Sequence, residues 1–386
     1  MAESILQVPH TLPAERLSES FFSKSPTDLR FKNTKYDIIY PRNSIANTNT
    51  ILFELPVPTG PSVYLLDKVL ISVEMKILSK DGEKIPNDSE AAPINLPLTS
   101  FISHLNLELN DTSITPQAAN YNYKNMIDTI LNYNTFVKTE LLQIGGFYED
   151  TEKHMDALDS TNIGYTKRRD LFSAKSGTTR VYKTDAVHFL GDLNLDFTSP
   201  SKPILNGVKI KISLTLANND FVLKTTSSKD LVYKISSCNL LVPIANITDD
   251  LYSDIIRDLK KEGKAFYNYL RRELININIA AGQLSYTTDT LFTGGKLPSK
   301  LILGFVKTSA YQGSKKLNPY NFLREDKTDS RSIKKVTITL NGTQIDGLEL
   351  PVSNQTTLDY YRLHLMTGLT KVPFTNGINF EKFKSG

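Results

Sequence analysis

Residues 101–150 read FISHLNLELNDTSITPQAANYNYKNMIDTILNYNTFVKTELLQIGGFYED. Leu105, Leu107 and Leu109 alternate with Asn106 and Glu108, which is the period of a half-buried strand. Asn110-Asp111 supplies turn chemistry, because both residues tolerate left-handed backbone and bond locally. Beyond Thr115-Pro116 the period lengthens. Tyr123, Ile127, Ile130 and Asn134 fall on one helical face, with Met126 and Leu131 beside them. The stretch therefore reads as strand, turn, crossing loop and short amphipathic helix.

The same order recurs near the end of the chain. Val336, Ile338 and Leu340 alternate with Thr337 and Thr339, and Asn341-Gly342 follows. Asn-Gly favours a type I′ hairpin, whose two central residues both need positive φ. A second short helix is expected around Leu358–Leu363. Two β-domains of one kind in tandem is the simplest reading. The other is coincidence between two common hairpins.

The 386 residues exceed what one core usually supports, so two domains are expected. The composition is that of a globular protein, 40% hydrophobic and 22% charged, which excludes disordered and collagen-like classes. Trp is absent, so aromatic packing rests on 18 Tyr and 18 Phe. A net charge of +4 lacks the clustered excess of a dedicated nucleic-acid surface. Lys167-Arg168-Arg169, the densest basic triplet, reads as a solvated loop rather than a phosphate site. Cys238 is the single cysteine, which fits a reducing compartment. The first twenty residues lack a signal-peptide pattern, and no apolar run approaches the ~20 residues of a membrane span.

In chain order, residues 1–35 read as a polar arm. Strands are expected at Ile51–Leu55 and along Val69, Ile71, Val73, Met75 and Ile77, with a turn at Asp81-Gly82 and a loop over 86–97. Residues 135–146 have the spacing of a second helix, with Phe136, Leu141 and Ile144 apolar. Residues 150–185 read as a long polar loop. Leu193, Leu195 and Phe197 mark a strand, and residues 203–207 a turn. The cleanest half-buried strand has Val208, Ile210, Ile212, Leu214 and Leu216 facing a core, with Lys209, Lys211, Ser213 and Thr215 outward. The second half opens with a strand over Val232–Ile244. A helical pattern spans Asp249–Arg272, interrupted at Gly263. Strands are expected at Ile275–Ile279 and Leu301–Val306, and a loop over 311–333. Short strands with turn signals and few inserted helices argue for antiparallel sandwiches, and the long crossing loops suit jelly rolls.

Several ordered blocks carry a resemblance. One runs through Tyr121-Asn122-Tyr123-Lys124, Asp128 and Tyr133 to Gly146-Phe147-Tyr148-Glu149-Asp150. Another is Leu190-Gly191-Asp192-Leu193 with Leu205-Asn206-Gly207-Val208. A third joins Gly295-Lys296-Leu297-Pro298, Leu301–Val306, Ala310-Tyr311-Gln312-Gly313 and Asn318-Pro319-Tyr320-Asn321-Phe322. In this order and spacing, over about residues 100–380, the chain resembles the double jelly-roll major capsid proteins of Polinton/Maverick elements and adintoviruses, relatives of virophages and large DNA viruses. That family usually has Trp near Phe147, and this chain has none. The resemblance implies an all-β fold with two tandem antiparallel jelly-roll sandwiches, at 36–230 and 231–386, after the arm at 1–35. It implies a homotrimer with pseudo-hexagonal outline, tiling an icosahedral shell around double-stranded DNA. Partners would be neighbouring capsomers, penton and minor capsid proteins, with no sequence-specific nucleic acid and no membrane span. The location would be the virion, after synthesis in the host cytoplasm and assembly in the nucleus. The family also continues beyond the length available here after the second helix, so a truncated or externally completed second sandwich is expected.

No enzyme and no cofactor or metal site is expected. None of His10, His104, His154, His188 and His364 has a partner at a zinc-motif spacing, and His104, in a strand, reads as a packed or rim residue. Nucleophile-elbow and phosphate-loop motifs are missing. Gly145-Gly146 and Gly294-Gly295 read as turns, and Asp249-Asp250 as the start of a helix. Glu149-Asp150 reads as a solvated loop, with a cation site as the second reading. Tyr121, Tyr123 and Tyr133 read as a packing face rather than a sugar platform. Residues 318–322 read as a rigid loop anchored by Tyr320 and Phe322, its Asn side chains bonding loop backbone. Loops 150–185 and 311–333 are expected at the sandwich ends, making most intersubunit or exterior contacts. The alternative function is a carbohydrate-active or carbohydrate-binding double jelly roll.

Overall fold

The computed structural model describes residues 31–385, with breaks at 47, 58–59, 84, 86–89, 116–118, 178, 198–202, 228–229, 268–270, 289–290, 292–297, 323–334, 341–342, 350–355 and 368–374. The arm expected over residues 1–35 lies outside the described residues except for its last five, which begin a strand. The strands of the first half are β1 (Phe31–Ile39), β2 (Thr50–Leu55), β3 (Ser62–Tyr64), β4 (Leu70–Ser79), β5 (Ala91–Pro93), β6 (Ile102–Leu109), β7 (Thr112–Ser113), β8 (Ser173–Ser176), β9 (Thr179–Tyr182), β10 (Val187–Asp192), β11 (Ile204–Leu205), β12 (Ile210–Leu216), β13 (Leu223–Thr225) and β14 (Leu231–Ile247). Helices are short and inserted: α1 (Pro97–Ser100), α2 (Tyr121–Asn132), α3 (Thr135–Thr139), α4 (Ile163–Phe172), α5 (Asn219–Val222) and α6 (Asp249–Glu262).

One sheet runs β10-β4-β14, with β1 on the far side of β14 and β3-β11 continuing β4's side. The facing sheet runs β2-β12-β6-β7. All of these pairings are antiparallel. Treat β3-β4 as one broken strand and leave out the short β5, β8, β9, β11 and β13. The eight remaining strands then lie in the order 6-3-8-1 over 2-7-4-5. That interleaving of two Greek keys is a jelly roll.

The core lies between the sheets. Val69, Ile71, Val73, Met75 and Ile77 all face inward along β4 and are buried. They meet Ile51, Phe53 and Leu55 of β2, Leu105 and Leu107 of β6, and Ile210, Ile212 and Leu214 of β12. Strict alternation makes this possible, since period two sends every second side chain to one face. Val208 and Leu216, at the ends of the β12 run, are half-buried. Asn110 and Asp111 both take positive φ, and the β6–β7 hairpin closes with Leu109 opposite Thr112, as the turn chemistry requires.

Several expectations are corrected. Residues 150–185 are not a loop: they hold α4 and the β8–β9 hairpin. The loop expected over 86–97 contains β5, paired with β13. Leu193, Leu195 and Phe197 are buried but not a strand. The strand precedes them as β10, and Asn194 in left-handed backbone breaks the extended run. Residues 135–146 divide into α3 and a 3₁₀ turn over Leu141–Gly145, leaving Phe136, Leu141 and Ile144 exposed. β14 does not open a second half. It pairs with β1, β3 and β4 in the middle of the first sheet. α6 starts at Asp249-Asp250 as expected but stops at Gly263, whose positive φ caps it. Ile275–Ile279 and Leu301–Val306 form no strand, and Ile275, Ile277, Ile279, Ile302 and Leu303 are exposed. Alternation makes a strand only where a neighbouring strand completes the ladder.

Beyond Gly263 the described regular elements are α7 (Thr308–Tyr311), the antiparallel hairpin β15 (Lys335–Leu340) and β16 (Thr343–Glu349), α8 (Thr356–Thr367) and α9 (Phe380–Ser385). Leu340 opposes Thr343, and the Asn341-Gly342 expected to turn the hairpin lies outside the described residues. α8 covers the second expected helix.

Candidate functional site

α2 forms where the chain leaves the β6–β7 hairpin, and it carries the largest aromatic assembly. Its inward face is not the expected Tyr123–Ile127–Ile130 row. Tyr121, Asn122, Tyr123, Asn125, Met126 and Thr129 are buried, while Ile127 and Ile130 are half-buried. Most of these inward polar groups find a partner, whereas the Tyr123 hydroxyl is buried without one among the described residues. Asn125 donates to Thr99 Oγ1 at 2.7 Å, and the Tyr121 hydroxyl donates to Leu193 O at 2.5 Å. Burial pushes the Tyr121 and Tyr123 phenols up, so both stay neutral.

Tyr123 is the hub of a ring cluster. Its centroid lies 5.6 Å from those of Phe221, Tyr311 and Tyr320, and 6.4 Å from Phe322. Edge-to-face geometry dominates, as ring quadrupoles favour. Tyr320 is buried, and its hydroxyl shares a 2.8 Å hydrogen bond with Ser100 Oγ. Residues 311–322 thus dock onto the first sandwich. Gly313 has φ +104°, and a Cβ there would meet Phe221 N at 3.3 Å.

A polar clamp lies beside the rings, and here the sequence reading is overturned. Arg168 of the basic triplet is not solvated: it is 2% exposed, on the inner face of α4. It donates to Pro93 O at 3.0 Å, Tyr148 O at 2.8 Å and Asp150 Oδ1 at 2.6 Å. Asp150 is likewise buried rather than part of a solvated loop or a cation site, its side chain 1% exposed. Its Oδ2 accepts from Asn318 Nδ2 at 3.1 Å. Asp156 accepts from Asn318 N–H at 2.6 Å and from Asn321 Nδ2 at 2.9 Å. Asn318 Oδ1 accepts from Tyr320 N–H at 3.0 Å, the loop-bonding role expected of it. Neighbouring Arg169 is also buried, paired with Glu90 and, at 3.3 Å, with Asp170.

A second clamp lies at the other end of α2. Asp128 accepts from Asn132 and Asn194 and pairs with Arg272 at 3.5 Å. Arg272 also pairs with Asp196 at 2.7 Å. Tyr133 lines a cavity of about 160 Å³ together with Leu96, Leu98, Leu142, Leu190 and Asp192. Burial pushes the Tyr133 phenol up to about 12 and raises the Asp192 carboxyl.

The fold therefore gathers Tyr121, Tyr123, Asp128, Gly313, Asn318, Pro319, Asn321 and Phe322 around α2, with Tyr133 at its end. Asn206 and Gly207 lie apart, in the turn before β12. Asn206 donates to Gly60 O at 2.8 Å, and Gly207 takes positive φ. Pro298 is exposed, and Leu297 lies outside the described residues. The described parts of loops 150–185 and 311–333 pack on one another within the chain. Among the described residues no group of three His, Cys, Asp or Glu could hold a metal ion. Cys238 is buried, with its thiol pushed up to about 12, far from a reactive thiolate. His104 is exposed at the rim of β6, where Ser103 Oγ lies 2.9 Å from its Nδ1. The buried arrangement holds loops in place and offers no nucleophile–base pair.

No protein-family model matches the chain. A curated relative, the uncharacterized protein F54H12.2 of Caenorhabditis elegans, is 25% identical over 301 residues, covering 76% of this chain and 66% of that protein. Solved structures with a similar fold come from viral particles. The Sputnik virophage structure aligns at TM-score 0.41 and 12% identity over 59% of this chain and 50% of that one. The Faustovirus major capsid protein aligns at 0.40 and 10% over 61% and 58%. The mavirus major capsid protein aligns at 0.34 and 12% over 59% and 50%. The chain thus spans about two thirds of the curated relative and about half of these solved chains. The chain itself has a mostly antiparallel β architecture with short inserted helices.

Proposed function

We propose that this chain is the major structural subunit of an icosahedral capsid, a double jelly roll that assembles as a pseudo-hexagonal homotrimer. The observation that carries the reading is the strand order 6-3-8-1 over 2-7-4-5, followed by a second antiparallel strand pair, 335–340 with 343–349, and the helix at 356–367. In this reading the first jelly roll runs through β14 to Ile247 and the second is built from the remainder. Two upright sandwiches per subunit and three subunits give six similar walls, which is what a hexagonal lattice needs. The role is structural rather than enzymatic, and its partners are other capsid components. The lineage is that of Polinton/Maverick elements and adintoviruses, carried by the sequence blocks around Tyr121–Asp150 and Asn318–Phe322. Synthesis in the host cytoplasm and assembly in the nucleus belong to the same proposal.

Light scattering on the purified chain tests it. A stable species of three times the 43.3 kDa chain mass, with a hexagonal outline in electron micrographs, is expected. A monomer that binds glycan arrays would overturn it in favour of a carbohydrate-binding jelly roll.

A further inference from the structure

β1 is an edge strand, and β14 is its one strand partner among the described residues. The side of β1 facing away from β14 can be read from the backbone. Pro243 O accepts from Leu65 N–H at 3.1 Å, and Ile247 N–H donates to Pro61 O at 2.9 Å. A strand residue points its N–H and C=O to one side, and neighbours alternate. Residues 243, 245 and 247 therefore face β3, while Val242, Ile244 and Asn246 face β1. Their register partners are Asp37, Lys35 and Asn33. The residues between, Thr34, Tyr36 and Ile38, must turn their backbone groups to the open edge. Their side chains, with Tyr40, lie on one exposed face: Tyr36 is 49%, Ile38 53% and Tyr40 68% exposed.

We propose that this edge pairs antiparallel with β1 of a second copy, about a two-fold axis through Tyr36. Each Tyr36 then exchanges both backbone hydrogen bonds with the other. Lys35 of each copy stands opposite Asp37 of the other. Thr34 stands opposite Ile38, and Lys32 opposite Tyr40. Opposite charges and aromatic pairs directly across a ladder are favourable. The other registers that keep outward-facing residues paired lack this match: centring on Lys35 sets Lys35 against Lys35, and centring on Asp37 sets Asp37 against Asp37. Centring on Thr34 sets Asn33 against Lys35. Centring on Ile38 sets Asp37 against Ile39 and Lys35 against Pro41. Lys35 and Asp37 already form a 3.0 Å ion pair within the strand, so the two copies bring together four charges of alternating sign. Open strand edges are templates for pairing, and well-placed charges decide which partner they accept. A two-fold contact cannot be the threefold contact of a trimer. It would join copies from different capsomers, and it stands whether or not the trimer forms.

Sedimentation of the full chain over a concentration series tests this, with three variants. Tyr36→Pro removes an N–H that the intrachain ladder does not use, a position where an edge strand accepts proline. Lys35→Asp sets like charges against each other, and Lys35→Asp/Asp37→Lys restores the match in reversed order. The wild-type chain is expected to double its basal mass. Tyr36→Pro and Lys35→Asp should weaken the doubling by at least about tenfold, and the double swap should restore it. Backbone amides of Thr34, Tyr36 and Ile38 should exchange more slowly as concentration rises. That readout holds even if Tyr36→Pro fails to fold. No doubling in the wild type, which is the result if another segment or another protein covers the edge, overturns the proposal. So does a double swap that behaves like Lys35→Asp.

Discussion

Asp150→Ala is the sharpest probe of the clamp beneath the ring cluster. The substitution removes a carboxylate whose side chain is 1% exposed and leaves the Arg168 guanidinium buried with only the Pro93 and Tyr148 carbonyls. It also takes one acceptor from Asn318. Breaking a buried ion pair from one side costs about 3–5 kcal/mol, because the remaining charge stays desolvated. For a domain of this size that is a fall in Tm on the order of 10 °C. The comparison is Asp111→Ala, which breaks the exposed Lys211–Asp111 pair at 2.5 Å and should change stability little. Thermal and urea unfolding read the difference. Limited trypsin digestion reads the consequence: Lys316 is exposed on the loop that Asn318 anchors, and cleavage there should quicken in Asp150→Ala. If Asp150→Ala and Asp111→Ala move the midpoint equally, with no change in cleavage, the clamp does not hold the loop and the reasoning fails.

Two further outcomes are expected. Leu214 is fully buried at the centre of β12 and Thr215 is not, so Leu214→Ala should destabilise by ~2–5 kcal/mol and lower the folded yield far more than Thr215→Ala; equal effects would refute the assigned strand face. Lys224 is buried with its Nζ donating to Asp220 O at 2.7 Å and Ser314 O at 2.6 Å, and burial lowers its pKa to about 7. Because the unfolded chain holds this proton up to about pH 10.5 and the folded chain releases it near 7, stability from this residue is lowest below pH 7 and grows as pH rises through that window. The wild type minus Lys224→Met difference in unfolding free energy should therefore rise by up to about 1.4 kcal/mol per pH unit there, and a flat difference would refute it.

The sequence revealed the sandwich wherever period two coincided with a partner strand. β4, β6 and β12 read correctly because each is flanked on both sides or lies over the core. The same period misled at Ile275–Ile279, where no described strand completes the ladder, and at Leu193–Phe197, where one left-handed Asn breaks it. At the candidate site, Tyr320 and Asn318 were legible, since Asn-Pro-Tyr-Asn-Phe is a rigid loop with its own acceptors. Arg168 was not, because three adjacent cations suggest solvent. A signal was present nonetheless. Tyr165, Arg168 and Phe172 are spaced three and four apart, so an inward helical face carries the arginine between two buried rings. Gly164 gives a second hint: a Cβ there would lie 2.5 Å from Glu149 O, so α4 must press closely on the segment that ends at Asp150.

These attachments fall on α2 and the segments around it. Asn318 and Asn321 reach Asp150 and Asp156, Arg272 reaches Asp128 and Asp196, and Lys138 donates to Asn376 O at 2.8 Å. In each case a residue beyond Gly263 meets α2 or the segments around it. An extended hairpin sheet would not supply such a platform, because its outward side chains alternate and its loops stand clear. The long crossing between β7 and β10 does supply it, because it carries α2, α3 and α4. The proposed shell-forming role would require the first sandwich and the later segments to keep a fixed relationship. Buried ions and packed rings hold that relationship at defined angles more strictly than apolar contact alone, since each donor accepts few directions. The crossing that looks dispensable to the sandwich is thus one of the parts that join the later half of the chain to it, beside Asp196 and Lys224.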